Sequence, residues 1–412
     1  MSRRQLVLNS FDLTRLVNEG YSVRIKSGHL LVDDIPFATD GQVIGRGSLV
    51  CPLDLQGETT MRPQTHVMWF IGGIPCTKDG AEVPLLLHQR GPQPLAEGII
   101  ADCSFSQKMG GRDYENFYEK VVAYVGIILG HAQALDPDVV PTTFRPVETD
   151  EDDGVFKYLD TNSSRAGIMS QTDRLAVDRI AIIGLGGTGS YLLDLLAKTP
   201  IREIHLYDGD IFSTHNAFRA PAAASVDELN AAPYKVHHHA SRYEPFRRGL
   251  HPHAEYVTAD NMDVLLAMDF VFLSMDASTD KEVIVDRLTR ANVPFIDTGI
   301  GVARSEDGLA GLVRVTTSLP GHRAHVEENG LISYVLGDED EYEYETNIQV
   351  AELNALAAVL AVIAFKKKLG FYRDEVKELH ALYRIDTNEI LNSFGEEDED
   401  EDEGGVGLVN AA

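Results

Sequence analysis

The fold is decided by residues 180–190, which read IAIIGLGGTGS. An apolar stretch of strand character ends there in a glycine-rich loop, and the loop opens a helix over residues 191–197. This junction presents unpaired backbone N–H groups and the positive end of a helix dipole to an anion, usually the phosphates of a nucleotide. The flanking strand and helix argue against a mere tight turn, but the loop alone does not choose between hydride and phosphoryl chemistry.

The chain is strongly acidic, with a net charge of −28 over 412 residues. Much of that charge is local, because acidic runs occupy residues 150–153, 338–345 and 396–403 and leave about −10 elsewhere. Nucleic-acid binding needs basic surface that displaces counterions, so we expect no nucleic-acid partner. The acidic runs are interpreted as solubilising. For the run at 338–345, an alternative interpretation is that it binds a basic face of a partner protein.

The chain shows neither a secretory signal nor an apolar run long enough to span a bilayer, so we expect no membrane partner. Its three cysteines are Cys51, Cys76 and Cys103, and none forms a Cys-x-x-Cys pair. A structural zinc site built on thiolates is therefore not expected. These features predict a reducing, cytoplasmic setting.

The organisation along the chain predicts two domains. Residues 1–148 are predicted to form a smaller α+β domain, and residues 149–164 an acidic linker. Residues 165–395 alternate strand and helix patterns, as a doubly wound, Rossmann-like α/β sheet requires. The acidic tail 396–412 has no core-forming pattern and is predicted to be disordered.

Hydrophobic periodicity predicts the elements of each domain. In the first domain we expect a helix over residues 11–19, a long helix over 113–135, and strands at 21–25, 30–32, 66–71 and 84–88. In the second we expect a buried helix over 350–368 and strands at 179–183, 203–207, 254–257, 270–275 and 294–297. Two further strands, near 311–316 and 332–335, are expected to extend the sheet in antiparallel fashion.

The residues after the glycine loop bear on which nucleotide binds. Asp208 follows the second strand, where an acid grips a ribose hydroxyl, and this fits NAD and an adenylate equally well. Asn216, Arg219, Lys235 and Asp276 come next, the last directly after a predicted strand. Attack on an α-phosphate needs cations that spread the developing charge and a carboxylate that holds Mg²⁺. The residue chemistry therefore favours ATP cleavage over hydride transfer.

The order of these motifs resembles the ThiF/MoeB/E1 adenylyltransferases. The resembling pattern is Gly-x-Gly-Gly-x-Gly, Asp-x-Asp, Asn-x-x-Arg, a lysine, and a strand ending in aspartate, over about residues 165–370. Such enzymes, commonly homodimers, use ATP and Mg²⁺ to convert the C-terminal glycine of a ubiquitin-like or sulfur-carrier protein into an acyl-adenylate. The chain is thus expected to act in a ubiquitin-like conjugation or sulfur-carrier pathway of the bacterial type.

The resemblance also implies a role for individual residues. Asp208, within the Asp208–Asp210 motif, holds the ribose, and Asp276 binds Mg²⁺. Arg165 stands where such enzymes carry an arginine that reaches the ATP of the partner protomer. The nucleotide loop is lined by Gly184, Gly186, Gly187 and Gly189, and the phosphates are contacted by Asn216, Arg219 and Lys235.

The chain departs from this family in lacking zinc-binding cysteine pairs and any cysteine after Cys103. The acyl group therefore either leaves as the adenylate or moves to a nucleophile elsewhere. Candidate carriers are Cys76, Cys103 and the hydroxyls of Thr316, Thr317 and Ser318. The two thiols are interpreted as structural, because Asp79 and Asp102 disfavour a thiolate beside them. The N-terminal domain resembles the E2-like domain that precedes the adenylation domain in some bacterial relatives, so a fused E2-like domain or an E2-like partner is a hypothesis.

Two further functions stay open at this point. The first is a Rossmann NAD(P) oxidoreductase, and the second is a non-catalytic scaffold with a degenerate nucleotide pocket. A metal site built from residues 237–239 with His251 and His253 is disfavoured, and the histidine run is predicted to be a solvated loop. Asp276 is also a candidate N-cap for the helix that follows it.

Overall fold

The computed structural model describes residues 3–83, 87–108, 110–149, 154–334 and 348–394. The chain divides into two compact units, residues 1–169 and 170–412. The bounds of the predicted linker, 149–164, therefore fall within the first unit, where Glu148 forms a β-bridge with Tyr158. The acidic runs at 150–153 and 338–345 and the tail 396–412 lie outside the described residues.

The N-terminal unit is built on a six-stranded antiparallel sheet of order β1-β2-β3-β6-β8-β7. Its strands are β1 Ser22–Lys26, β2 His29–Ala38, β3 Ile44–Pro52, β6 Val67–Ile71, β7 Leu87–Ala96 and β8 Ile99–Ser106, with a small ribbon of β4 Leu55–Gln56 and β5 Thr59–Thr60. Its helices are α1 Arg3–Asn9, α2 Phe11–Asn18, α3 Phe117–Gln133 and α4 Thr161–Ala166. Helix α3 packs on β2 and buries Phe117, Val121 and Val125 in the core.

The predicted elements of this unit are present, but β2 and β7 continue past their predicted ends, and the extension of β2 has a clear cause. Strand β2 continues to Ala38, although the sequence prediction ended it at residue 32 before two aspartates. The aspartates form a bulge and not a turn, because Asp34 has φ +62° and the pairing with β3 shifts between Val32 and Ile35. Of the strand predicted at 84–88, residues 84–86 lie outside the described residues and β7 begins at Leu87.

The C-terminal unit is built on an eight-stranded sheet of order β11-β10-β9-β12-β13-β14-β15-β16. The first five strands are parallel and the last three antiparallel, which confirms the predicted doubly wound fold with an antiparallel extension. The strands are β9 Arg179–Ile183, β10 Glu203–Tyr207, β11 Leu250–His253, β12 Phe270–Leu273, β13 Phe295–Ser305, β14 Gly308–Ser318, β15 Glu378–Arg384 and β16 Glu389–Phe394.

Helices cover both faces of this sheet. They are α5 Met169–Thr172, α6 Gly187–Leu196, α7 Thr214–Ala217, α8 Val226–Asn230, α9 Lys235–Tyr243, α10 Thr279–Arg290, α11 Ala324–Glu328 and α12 Ala351–Lys368, with 3-10 turns at Asp173–Leu175 and Met262–Ala267. On one face Ile180 and Ile182 of β9 pack with α6 and α12, and on the other Ala181 and Ile183 pack with α10. Among the described residues, no helix combines the length and apolar character needed to cross a membrane.

Three predictions in this unit are wrong. The strand expected at 254–257 is β11, four residues earlier, because a half-buried edge strand of histidines and proline carries little apolar signal. Residues 332–334 form no strand, and β15 and β16 extend the sheet instead, while residue 335 lies outside the described part. The histidine run is helical within α9 and not a loop, since His238 and His239 are buried against Phe212.

Candidate nucleotide site

A cavity of about 650 Å³ lies at the carboxyl ends of β9, β10 and β12, beside the middle of β13. Strand β9 is flanked by β10 on one side and β12 on the other, so the chain reverses its direction of sheet growth at this point. Open α/β sheets bind ligands at such a switch point. Most of the predicted site residues line the cavity, namely Gly184, Gly186, Gly187, Asp208, Asp210, Arg219, Lys235 and Asp276.

The glycine loop is shaped by close backbone approaches on one side and open space on the other. Gly184 adopts φ +87°, where a side chain is strained. A Cβ at Gly189 would collide with the carbonyl oxygen of Gly184, and one at Gly187 with the side chain of Asn354. At Gly186, by contrast, a Cβ would meet nothing within 4 Å. Gly189 therefore allows the close backbone contact with Gly184 that shapes the loop, and it does not line the cavity. Gly186 lines the cavity and faces the space that a phosphate would enter.

Asp208 fastens the glycine loop to the end of β10. Its Oδ2 accepts a hydrogen bond of 2.7 Å from the N–H of Leu185, and its Oδ1 one of 2.8 Å from the N–H of Asp210. The side chain is only 6% exposed. Asp208 therefore holds the glycine loop in place through these hydrogen bonds. The residue also forms part of the cavity wall.

Lys235 is buried and paired with two acids. Its Nζ lies 2.6 Å from Asp210 Oδ2 and 3.6 Å from Asp208 Oδ2. Asp210 also accepts a hydrogen bond from the hydroxyl of Tyr256, which raises the pKa of Tyr256 to about 12. Burial acts to raise the pKa of Asp210, but the hydrogen bonds from Lys235 and Tyr256 outweigh it and lower that pKa. The charge of Lys235 is thus compensated within the cavity wall.

Arg219 and Asp276 retain bonding capacity that the protein itself does not use. Arg219 Nε is buried and has no hydrogen-bond partner among the described residues. Burial lowers the pKa of Arg219, and the neighbouring Asp276 carboxylate acts in the opposite direction. Asp276 is exposed, and within the described ranges no group hydrogen-bonds or ion-pairs with its carboxylate. The N-cap of α10 is Ser278 and not Asp276, because the Ser278 hydroxyl accepts from the N–H of Lys281.

Asn216 positions the turn that carries Arg219, and it does not line the cavity. Its Oδ1 accepts two hydrogen bonds of 3.0 Å, from the N–H and the hydroxyl of Ser213. Its backbone oxygen accepts from the N–H of Arg219 at 3.1 Å. The Asn216 Nδ2 is buried without a partner in the described part of the chain, so its predicted role towards phosphate remains a prediction.

An ionic network under the cavity was not predicted from the sequence. Lys281 and Arg314, both in the cavity wall, flank the fully buried carboxylate of Asp297. Lys281 Nζ lies 2.7 Å from Asp297 Oδ1 and forms an ion pair with it, although the geometry is not that of a hydrogen bond. Arg314 Nη2 donates a hydrogen bond of 2.6 Å to Asp297 Oδ2. The available signal was the position of Asp297 at the end of the strand predicted over 294–297, and in the structure it pairs with Leu273, the last residue of β12.

Arg165 does not line this cavity. It lies in the last turn of α4, within the N-terminal unit, and its side chain is exposed. The cavity-lining residues all belong to the C-terminal unit. The role expected for Arg165 concerns a partner protomer and stays a prediction.

The candidate acyl carriers are all buried. Burial raises the pKa of each thiol, that of Cys103 to about 12. A thiol with so high a pKa supplies little thiolate at neutral pH. The hydroxyls of Thr316, Thr317 and Ser318 are likewise at most 1% exposed. None of these groups is presented to an incoming acyl group in this conformation.

Both parts of the chain match models of known protein families. Residues 162–389, more than half of the sequence, match the ThiF family. The chain belongs to the ThiF family. Residues 11–161 match a domain of unknown function, DUF6791, which precedes the ThiF domain here. The family and fold predicted from the motif order are thus confirmed.

Solved structures similar to this chain are more distant. A crystal structure of E. coli MccB with ATP is 19% identical, with a TM-score of 0.42, over 55% of this chain and 66% of that one. A crystal structure of E. coli MccB with MccA is 19% identical, with a TM-score of 0.43, over 58% of this chain and 73% of that one. PaaA is 18% identical, with a TM-score of 0.41, over 55% and 75%. The chain thus spans just under two thirds of MccB in the first of these matches. Among curated proteins there is no match.

Proposed function

We propose that this ThiF-family chain is an ATP- and Mg²⁺-dependent adenylyltransferase that activates the C-terminal carboxylate of a ubiquitin-like protein. The observation that carries the proposal is the convergence, in one cavity, of an open helix N-terminus, Arg219 and Lys235, and the unpaired carboxylate of Asp276. An oxidoreductase has no need of this set at the phosphate end of NAD(P), whereas attack on an α-phosphate requires it.

In the proposed reaction an oxygen of the carrier's C-terminal carboxylate attacks the α-phosphorus of ATP. The bond from the α-phosphorus to the oxygen bridging to the β-phosphate breaks, and pyrophosphate leaves with that electron pair. The nucleophile is already ionised at neutral pH, so no general base is required. Catalysis therefore consists of positioning and of stabilising charge on the phosphates.

The residues of the cavity divide these tasks. The open side of the loop at Gly186 and the start of α6 bind phosphate oxygens, which the helix dipole favours. Arg219 gives its unused Nε–H to the developing charge, and Lys235 exchanges its contact with Asp210 for a phosphate oxygen. Asp276 fits Mg²⁺, since its free carboxylate is the hard oxygen ligand that this ion prefers. An ion held there would neutralise part of the charge on the phosphates.

The buried thiols bear on what happens after adenylation. Because Cys51, Cys76 and Cys103 are all inaccessible with raised pKa values, we propose that the acyl-adenylate is passed to a nucleophile of another molecule. An E2-like partner in a conjugation pathway and a sulfur donor in a sulfur-carrier pathway both satisfy this. We further propose that the protein acts as a cytoplasmic homodimer.

The proposal is tested by exchange of labelled pyrophosphate into ATP. The assay uses ubiquitin-like proteins of the same genome that end in glycine, each compared with a version lacking that glycine. We expect exchange that needs the terminal glycine and that falls in Arg219→Ala, while Arg290→Ala, an exposed arginine on α10, leaves it unchanged. Exchange without the glycine, or equal exchange in both arginine variants, would contradict the proposal. NADH binding with no exchange would favour an oxidoreductase, and ATP binding without exchange a scaffold.

A further inference from the structure

Three side chains of types that ligate metal ions lie together on the edge of the ThiF sheet, outside the nucleotide cavity. Glu203 and His205 belong to β10, and His251 belongs to the edge strand β11. His205 is paired with His251 in the parallel register, and Glu203 lies two residues before His205 on the same face. One ligand atom from each side chain lies within 4.8 Å of the others.

The spacing of these atoms suits a transition-metal ion. His205 Nε2 lies 3.4 Å from Glu203 Oε2. Ligand atoms of a tetrahedral zinc ion with bonds of 2.0–2.1 Å are about 3.3 Å apart, so this pair already has ligand spacing. The His251 ring stacks on that of His205, with centroids 4.7 Å apart. All three side chains are half-buried, so an ion from solvent reaches them and closes the remaining distance by side-chain rotation.

A fourth residue, His253, holds the His205 ring in a useful orientation. His205 Nδ1 lies 3.1 Å from His253 Nε2. With the proton on Nδ1, His205 donates to His253 and turns its Nε2 lone pair towards Glu203. Hydrogen bonds of this kind behind a metal-binding histidine fix its tautomer and raise its basicity. Arg179 opposes metal binding, because its Nε lies 3.7 Å from Glu203 Oε2 and competes for the carboxylate.

We propose that Glu203, His205 and His251 form a binding site for a divalent transition-metal ion of the zinc type. Two imidazoles and a carboxylate are a ligand set for zinc, with the fourth position open to water, whereas Mg²⁺ prefers oxygen ligands alone. This site is therefore chemically distinct from the Asp276 carboxylate in the nucleotide cavity. It does not depend on the proposed adenylation.

Such an ion would join two strands at the edge of the sheet. Strand β11 has only four residues and pairs with β10 alone among the strands described. The chain that leaves β11 carries Tyr256, which hydrogen-bonds Asp210 in the cavity wall. A metal bridge between β10 and β11 would therefore stabilise one wall of the nucleotide cavity.

The test is metal titration of the full-length, tag-free protein without nucleotide. We expect one Zn²⁺ per chain by calorimetry, a rise in melting temperature, and the visible absorption of tetrahedral Co²⁺. The double variant His205→Asn/His251→Asn lacks both imidazole ligands. Loss of a residue that only hydrogen-bonds a metal ligand weakens metal binding by about 10–100-fold, and this variant should weaken Zn²⁺ binding by more than that. The matched control His237→Asn changes an exposed histidine on α9 and should bind as the wild type does.

Two single variants keep the test decisive if the double variant does not fold. Glu203→Gln keeps the shape of the partly exposed side chain and should weaken Zn²⁺ binding, whereas Arg179→Gln removes the competing cation and should strengthen it. Wild-type protein that binds no Zn²⁺, or gives no tetrahedral Co²⁺ spectrum, would overturn the proposal. So would Zn²⁺ binding that is unchanged in Glu203→Gln and in the double variant.

Discussion

Asp276 illustrates how charge is distributed among single residues of the cavity. Lys235 is neutralised by Asp208 and Asp210, and Arg314 and Lys281 share Asp297, but no described residue forms a hydrogen bond or a close ion pair with Asp276. An unpaired carboxylate beside a half-buried arginine is an arrangement that a bound cation and its phosphates would complete. The residue is thus the most informative single position for mutagenesis.

Asp276→Asn should lower pyrophosphate exchange by about 10²–10³-fold, the loss typical when one charge-stabilising group is removed from a transition state. Metal-independent ATP binding should change little, because the phosphates keep the glycine loop and Arg219. The control Asp260→Asn alters an exposed carboxylate outside the cavity and should have no effect. Equal exchange rates in both variants would remove Asp276 from the mechanism.

A pair of glycine substitutions separates support of the loop from ligand binding. Gly189→Ala places a methyl group against the carbonyl oxygen of Gly184 and should lower the melting temperature together with ATP affinity. Gly186→Ala points its methyl group into open space and should lower ATP affinity with a smaller change in melting temperature. Thermal melts and ATP titrations of both variants check this, and the opposite ranking in melting temperature would contradict the loop geometry.

At the scale of elements, helix α9 carries a testable pH dependence. His239 is 2% exposed, and burial together with nearby His238 lowers its pKa to about 3. The unfolded chain takes up this proton near the ordinary pKa of about 6.5, so the stabilisation is complete above that pH and is lost as pH falls below it. One such proton changes the free energy of unfolding by up to about 1.4 kcal/mol per pH unit.

The free energy of unfolding should decline as the pH falls below the ordinary histidine pKa of about 6.5. His239→Gln should make this decline less steep between about pH 6.5 and about pH 5. His237→Gln, an exposed neighbour on the same helix, should leave the slope as in the wild type. Urea unfolding at several pH values measures these slopes independently of any overall destabilisation. An unchanged slope in His239→Gln would show that the pKa of this histidine is not lowered in the folded protein.

The link between α10, β13 and β14 depends on one buried ion network. Lys281→Met leaves Asp297, which is fully buried, with Arg314 as its one remaining ionic partner among the described residues, and should destabilise the protein. Breaking a buried pair typically costs about 3–5 kcal/mol. Adding Asp297→Asn should recover part of that loss, because the amide needs less compensation. Denaturant unfolding of the single and double variants decides this, and a more stable single variant would contradict it.

The elements also show what the sequence predicts and what it does not. The glycine loop, β9 and the long apolar helices were predictable because their periodicity and glycine pattern reflect local geometry. Strand β11 was misplaced, and β15 and β16 were missed: β11 and β16 are the two edges of the sheet, and β15 is mostly half-buried, so all three lack the apolar signal of the central strands. The convergence of Arg219 and Asp276 followed from motif order, whereas Tyr256 reaches the cavity through tertiary packing that no local pattern records.

At the scale of the whole molecule, the homodimer that we propose would give Arg165 a role that one chain cannot display. If Arg165 serves the partner's ATP, Arg165→Ala and Asp276→Asn are each defective, but a mixed dimer keeps one complete site. An equal mixture after subunit exchange should regain activity at about a quarter of its sites, as random pairing of a two-fold dimer requires. No recovery, with mixed dimers shown by mass spectrometry, would exclude a shared site.

The central claim, attack of a carrier carboxylate on the α-phosphate, is tested most directly by isotope transfer. The C-terminal carboxylate of the carrier is labelled with ¹⁸O, and the protein is incubated with carrier, ATP, Mg²⁺ and hydroxylamine, which intercepts the acyl group at its carbonyl carbon. We predict AMP that contains one carboxylate oxygen, together with unlabelled pyrophosphate. Unlabelled AMP, or label found in inorganic phosphate beside ADP, would contradict an acyl-adenylate.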